Sequence, residues 1–225
     1  MGKLNQGKCY FCGKTFGKTG IRRHLDKCKE RSNKNSNGNE DHYIIRIQGY
    51  YQKEYWMYVE VSANATLKDL DQFLRDKWLE CCGHLSMFKI NGEIYDVESS
   101  TDMFMFRRVN SMEERLKDVI YKGLEFTHEY DFGSTTILKL NVLSKEKGSK
   151  TKDKVVLMAR NLPIIYNCKK CGEQATQLCV ECIYYEYPFY CDKCAKEHEC
   201  GEEMMLPVVN SPRMGVCGYC GEDGE

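Results

Sequence analysis

Tyr55-Trp56-Met57-Tyr58-Val59-Glu60-Val61, then Ser62-Ala63-Asn64-Ala65, then Thr66-Leu67-Lys68-Asp69-Leu70-Asp71-Gln72-Phe73-Leu74-Arg75-Asp76-Lys77-Trp78-Leu79, decides the fold class of this chain. The opening run is aromatic and β-branched, the composition that suits a pleated, half-buried strand. The apolar period then changes, and Leu67, Leu70, Phe73, Leu74, Trp78 and Leu79 recur at helical spacing on one face. Thr66 is an N-cap residue by type, and Asp69 stands three residues later, where a carboxylate favours the same helix start. A strand feeding an amphipathic helix through four small residues predicts an α+β domain.

The flanking sequence completes that domain. A second β-rich run at residues 43–47 pairs with 55–61 as a hairpin around Gln52-Lys53. Met87-Phe88-Lys89-Ile90, Asn91-Gly92 and Glu93-Ile94-Tyr95 form another hairpin, because Asn-Gly suits a two-residue type I′ turn. A weaker helix is expected at 113–120, strands at 124–132 and 136–143, and further strand at 155–158 and 164–166. The charged run 144–154 reads as an exposed loop. Residues 31–41 (Arg-Ser-Asn-Lys-Asn-Ser-Asn-Gly-Asn-Glu-Asp) contain no apolar side chain and read as a flexible linker. The expected organisation is therefore a zinc finger (1–30), a linker (31–41), an α+β domain with a mostly antiparallel sheet and packed helices (42–160), and a cysteine-rich module (161–225).

The chain has 225 residues, is 42% hydrophobic and has zero formal charge, so it can build a real core. The neutrality conceals an asymmetry. Residues 1–35 carry ten Lys/Arg against Asp26 and Glu30, a net +8, whereas residues 161–225 carry five basic and eleven acidic side chains, a net −6. A basic head on a neutral protein suits contact with a polyanion. No run approaches the roughly 18 apolar residues of a membrane helix. The N-terminus has neither a signal-peptide h-region nor a myristoylation pattern, since Gln6 stands where Ser or Thr is needed. A cytoplasmic protein with no membrane partner is expected.

Fourteen cysteines, most in C-x-x-C pairs near a histidine, point to metal rather than disulfides in a reducing compartment. The first set is Cys9-x2-Cys12-x11-His24-x3-Cys28, two cysteines on a knuckle and two ligands one helical turn apart. Phe16 and Ile21 supply a miniature core. The second region holds Cys168/Cys171, Cys179/Cys182 and Cys191/Cys194, followed by His198, Cys200, Cys217 and Cys220. Alternating pairs commonly share metals, which assigns Cys168, Cys171, Cys191 and Cys194 to one zinc. Cys179, Cys182 and His198 take another, with Cys200 as the preferred fourth ligand and Cys217, or Cys217 with Cys220, as alternatives. About three zinc ions are expected, structural because four protein ligands leave no open position. Cys81 and Cys82 have no partner at metal spacing nearby and read as partly buried helix residues.

The first set resembles the zinc-finger family that uses two cysteines and two histidines, with Cys28 in place of the last histidine and a loop one residue short. The resemblance implies base-reading positions at Gly17, Thr19, Gly20 and Arg23, two of which have no side chain to offer a base edge. Non-specific phosphate contact through Lys14, Lys18, Arg22, Arg23 and Lys27 is the expectation instead. The C-terminal spacing resembles B-box and MYND-type modules, which implies protein partners.

Glu129-Tyr130-Asp131-Phe132-Gly133 after Phe126-Thr127-His128, with Thr66–Leu70, Trp78, and His84-Leu85-x2-Phe88, resembles the plasmid pRiA4b ORF-3-like family over about residues 42–145. Members of that family also occur as passenger proteins of insertion sequences, so a mobile-element association is implied, together with an α+β fold. The Asp-x-Trp that commonly follows in that family is replaced by Ser134-Thr135-Thr136. The leading expectation is a non-enzymatic adaptor that contacts nucleic acid and protein, with no small-molecule substrate. A pure protein-interaction module is the alternative, and a hydrolase centred on His84, His128 and Asp131, with Glu129 nearby, is a further one.

Overall fold

A computed structural model describes residues 5–35, 38–97, 109–149 and 152–221. The chain divides into two units, residues 1–74 with 85–162, and residues 75–84 with 163–225.

In the first unit, β3 (Glu40–Gly49) and β4 (Trp56–Ser62) form the expected hairpin, with Ile45 opposite Val59 and Gln48 opposite Trp56. Burial of the strand explains its composition: Trp56, Met57, Val59 and Val61 are fully buried. The helix α3 (Leu67–Leu74) starts at a closed capping box. The Thr66 amide donates to Asp69 Oδ2 at 2.8 Å, and the Asp69 amide donates to Thr66 Oγ1 at 3.1 Å. Leu67, Leu70 and Leu74 are buried on the expected face. The second hairpin, β5 (Ser86–Ile90) with β6 (Glu93–Asp96), turns at Asn91 and Gly92, both with positive φ as a type I′ turn requires.

These strands belong to a ten-stranded sheet, antiparallel except where β6 meets β7 (Val109–Ser111). The rest are β1 (Gln6–Cys9), β2 (Thr15–Gly17), β8 (Glu125–Tyr130), β9 (Thr136–Gly148) and β10 (Val155–Asn161), in the order β2-β1-β10-β4-β3-β9-β8-β5-β6-β7. The α+β class with a mostly antiparallel sheet is thus observed.

Several local expectations change. Residues 144–148 continue β9 instead of forming a loop, because β3 begins at Glu40 and offers its backbone to them, and Asp41 pairs with Lys145 and Lys147 at 3.0 and 2.8 Å. Residues 150 and 151 of that expected loop lie outside the described residues. β8 stops at Tyr130: Asp131 takes φ +65° and its Oδ1 accepts the amides of Gly133 and Ser134, a local turn that ends the strand. The expected helix at 113–120 shortens to α4 (Leu116–Val119), and 164–166 is not a strand.

Residues 31–41, expected as a linker, hold most of helix α2 (Lys29–Asn35) and the start of β3. Nor is the finger a separate bead. Its strand β1 pairs with β10, Cys9 opposite Ala159, and its helix α1 (Lys18–Leu25) buries Ile21 and Leu25 with Ile44, Trp56, Tyr58 and Met158. At Gly7 a β-carbon would stand 2.2 Å from the Trp56 ring, so the absence of a side chain is what lets β1 reach the sheet.

In the second unit, β11 (Gln177–Cys179) lies between β12 (Phe189–Tyr190) and β13 (Met205–Pro207), with a one-turn helix α5 (Asp192–Ala195). One apolar cluster there holds Ala175, Leu178 and Phe189, with Tyr166 stacked on Phe189 at 3.9 Å. Residues 75–79 form a π-helical turn that buries Trp78. The Trp78 indole donates to Asn210 O at 3.1 Å, and Ser211 Oγ donates to Trp78 O at 2.7 Å.

Candidate metal centres

In the finger, β1 carries Cys9, the turn to β2 carries Cys12, α1 carries His24, and Cys28 follows α1. The turn is closed by the Gly13 amide donating to Cys9 O at 2.8 Å, with Gly13 at φ +73°. Cys9 and Cys28 Sγ are 4.0 Å apart, and Cys12 Sγ is 3.3 Å from His24 Nε2. All four ligand atoms lie within 4.8 Å of one another. Sulfurs about 2.3 Å from a central ion at tetrahedral angles stand about 3.8 Å apart, so the group has the size of a zinc site. Phe16 stacks on the His24 ring at 4.0 Å and fixes its orientation. Burial, helped by Lys14, lowers the His24 pKa and favours the neutral imidazole that a metal needs. Burial pushes the Cys9 thiol up to about 11. At Cys12 burial acts the same way but is outweighed by the Lys14 amide and by the Cys9 and Cys28 thiols, so its pKa falls.

The second unit contains two interleaved groups, Cys168, Cys171, Cys191 and Cys194, and Cys179, Cys182, His198 and Cys200. In the first, Cys171 and Cys191 Sγ are 3.6 Å apart, and Gly172 at φ +79° closes the knuckle with its amide on Cys168 O at 2.9 Å. Burial raises the Cys168 thiol, yet amides of Cys191, Cys171 and Lys170 aimed at its sulfur win and bring it to about 6. In the second, Cys182 Sγ lies 3.3 Å from His198 Nε2 and 3.9 Å from Cys200 Sγ. Tyr190 packs on the His198 ring at 4.4 Å. Among the choices open for the fourth position, the structure brings Cys200 to this group and neither Cys217 nor Cys220.

A fourth group was not expected. Cys81, Cys82, His84 and Cys217 also gather their ligand atoms within 4.8 Å, with His84 Nε2 at 3.2 Å from Cys217 Sγ. The expectation that Cys81 and Cys82 are helix residues is corrected: the helical turn ends at Leu79, and Gly83 at φ +68° folds the chain back. Cys220 joins no group among the described residues.

The residues considered for hydrolysis occupy other settings. His128 is fully buried on β8, 2.6 Å from Asp71 Oδ1, which also accepts from Ser86 Oγ at 2.7 Å. Glu129 pairs with Lys89, Asp131 closes its own turn, and His84 belongs to the cysteine group of the other unit. Of the five basic residues considered for nucleic acid, Lys14, Arg23 and Lys27 are exposed. Lys18 donates to Lys53 O at 2.6 Å, and Arg22 lies 3.1 Å from Asp26 and 3.9 Å from Glu146.

No protein-family model and no curated protein matches the chain. Among solved structures it is similar to a crystal structure of a protein of unknown function from Methanosarcina mazei Go1. The two share 16% identity with a TM-score of 0.47, over 60% of this chain and 76% of that one. Among the described residues no helix is long and apolar enough to cross a membrane.

Proposed function

We propose that this chain is a zinc-structured, non-enzymatic binding protein, with three zinc ions holding the finger and the two interleaved centres. The observation that carries the reading is that each of these groups brings four protein ligand atoms within 4.8 Å of one another. Such a set leaves no position for water or substrate, so the ion stabilises a fold and does no chemistry. The resemblance of residues 42–145 to the pRiA4b ORF-3-like family, and with it an association with mobile elements, belongs to the same proposal.

The nucleic-acid contact is narrow. With Lys18 and Arg22 engaged inside the protein, Lys14, Arg23 and Lys27 carry it, and they address phosphates without sequence preference. Fluorescence anisotropy with mixed-sequence DNA and RNA should show binding that weakens with salt at a log–log slope of about −2 to −3, the value for about three neutralised phosphates. A combined Lys14→Ala, Arg23→Ala and Lys27→Ala variant should lose it. Absence of binding even at low salt contradicts this part of the proposal.

A specific feature favours protein contact as well. Tyr184 and Tyr185 are 78% and 80% exposed beside partly exposed Ile183 and Tyr187, an unusual concentration of large side chains on the cysteine-rich unit. Tyrosine supplies large contact area at low entropic cost and is enriched at interfaces. If salt-sensitive nucleic-acid binding fails, a protein-interaction module built on this face is the remaining reading.

A further inference from the structure

Cys81, Cys82 and His84 share one short turn, whereas Cys217 lies 133 positions beyond His84, and the backbone is bent at several points where it brings the four together. Gly83 at φ +68° reverses the chain, so that His84 returns towards the two cysteines before it. From the other side, left-handed turns at Gly215 (φ +79°), Cys217 (φ +50°) and Gly218 (φ +68°) present Cys217. Glycine adopts this conformation freely, whereas a cysteine pays for it, and a non-glycine residue held there is over-represented where a side chain has a task.

The frame around the group is built from groups within the same unit. Ser211 Oγ bonds Trp78 O at 2.7 Å and accepts the Arg213 amide at 2.9 Å. Arg213, with no solvent exposure, places Nη2 3.4 Å from Cys81 Sγ. A buried guanidinium donating to a sulfur orients it as outer partners of metal ligands do.

We infer that Cys81, Cys82, His84 and Cys217 form a fourth zinc site, which clips the 81–84 turn to the 215–218 loop. Three soft sulfurs and an imidazole select zinc over magnesium or calcium. The site differs from the other three in exposure: Cys82 and Cys217 are exposed and Cys81 is half-buried, whereas each of the other groups contains at least two buried ligands. Its ion is therefore the first that a chelator reaches.

The test is native mass spectrometry of the full chain purified under reducing conditions and loaded with zinc alone, comparing wild type with Cys217→Ser and, as a control, Cys220→Ser. The expected result is one zinc fewer in Cys217→Ser and an unchanged count in Cys220→Ser. Equal counts in wild type and Cys217→Ser overturn the site, whatever the total, which separates this inference from the three-ion proposal. Should Cys217→Ser not fold, alkylation of the wild-type protein decides. Zinc should slow labelling of Cys82 and Cys217 at least tenfold while leaving Cys220 reactive, and equal labelling with and without zinc overturns the site.

Discussion

Stripping the metal with a chelator under reducing conditions is expected to unfold residues 168–200 while the interior of the large sheet stays folded. The reason lies in what each unit buries. Around the two interleaved centres the buried residues are Cys168, Cys179, Cys182, Cys191 and Cys194, with Tyr190 and Ala195, so the middle of the unit is sulfur. Among the described residues the apolar cluster beside them holds Ala175, Leu178 and Phe189 with a few half-buried neighbours, and Trp78 and Leu79 are buried elsewhere in the unit. Without an ion the thiols oppose one another. Burial and the neighbouring thiols push Cys182 and Cys194 up to about 12. Structural zinc contributes on the order of 10–16 kcal/mol to small domains of this kind, comparable with the whole stability of an ordinary fold. The first unit also buries Ile45, Val59, Leu138 and Leu140, none of which belongs to the cluster that holds Cys9 and Cys28. Hydrogen exchange checks the prediction. Protection should vanish at β11 and β12 and persist in β3, β4 and β9. Retained protection at β11 after complete metal removal contradicts it.

Arg31→Met is expected to destabilise the first unit by about 3–5 kcal/mol, the cost of leaving a buried charge without its partner. Arg31 stands on α2, just after the last finger ligand, and its side chain is 9% exposed. Its guanidinium lies 3.1 Å from Glu60 on β4 and 2.7 Å from Glu146 on β9, and Nη1 donates to Leu25 O at the end of α1. One side chain thus ties the finger helix to two strands of the sheet. Methionine preserves most of the volume but takes the guanidinium away from Glu60, whose side chain is 5% exposed. Thermal unfolding should shift down by roughly 6–20 °C for a unit of this size, and Glu60→Gln in the same chain should recover part of the loss. A shift under about 2 °C contradicts the assignment. The pair also carries a pH dependence. Burial raises the Glu146 pKa, but Ser144 and Arg31 outweigh it and hold the carboxyl below its ordinary 4.5. Its stabilisation is therefore complete above that value and is lost as pH falls through the lower folded one.

What could be read from the residues alone was what has a local signal. The Thr66–Asp69 box, the Asn91-Gly92 turn and the strand at 56–61 each rest on a few adjacent side chains, and each forms as read. The twelve residues of three Cys/His groups were legible because knuckle spacing is a sequence property. Incorporation of the finger into the sheet was not legible, since it depends on Cys9 meeting Ala159 and on Gly7 fitting beneath Trp56. The 31–41 stretch misled because its helix is short and polar, and the side chain that anchors it, Arg31, finds its partners at Glu60 and Glu146. The fourth group was hidden because Cys217 stands 133 positions beyond His84. One trace was available: once twelve ligands are assigned, a Cys-Cys-x-His string and a terminal cysteine pair remain without a role.

The central claim is that zinc completes the finger, whose helix also packs on the sheet, and holds the cysteine-rich unit together. The most direct test is the zinc content of full-length protein purified without added metal, with reactive thiols counted before and after chelation. The account predicts at least three zinc ions per chain and ligand thiols that become reactive only when the metal is removed. A folded protein without zinc, its thiols reactive from the start and β11 still protected from exchange, would contradict it.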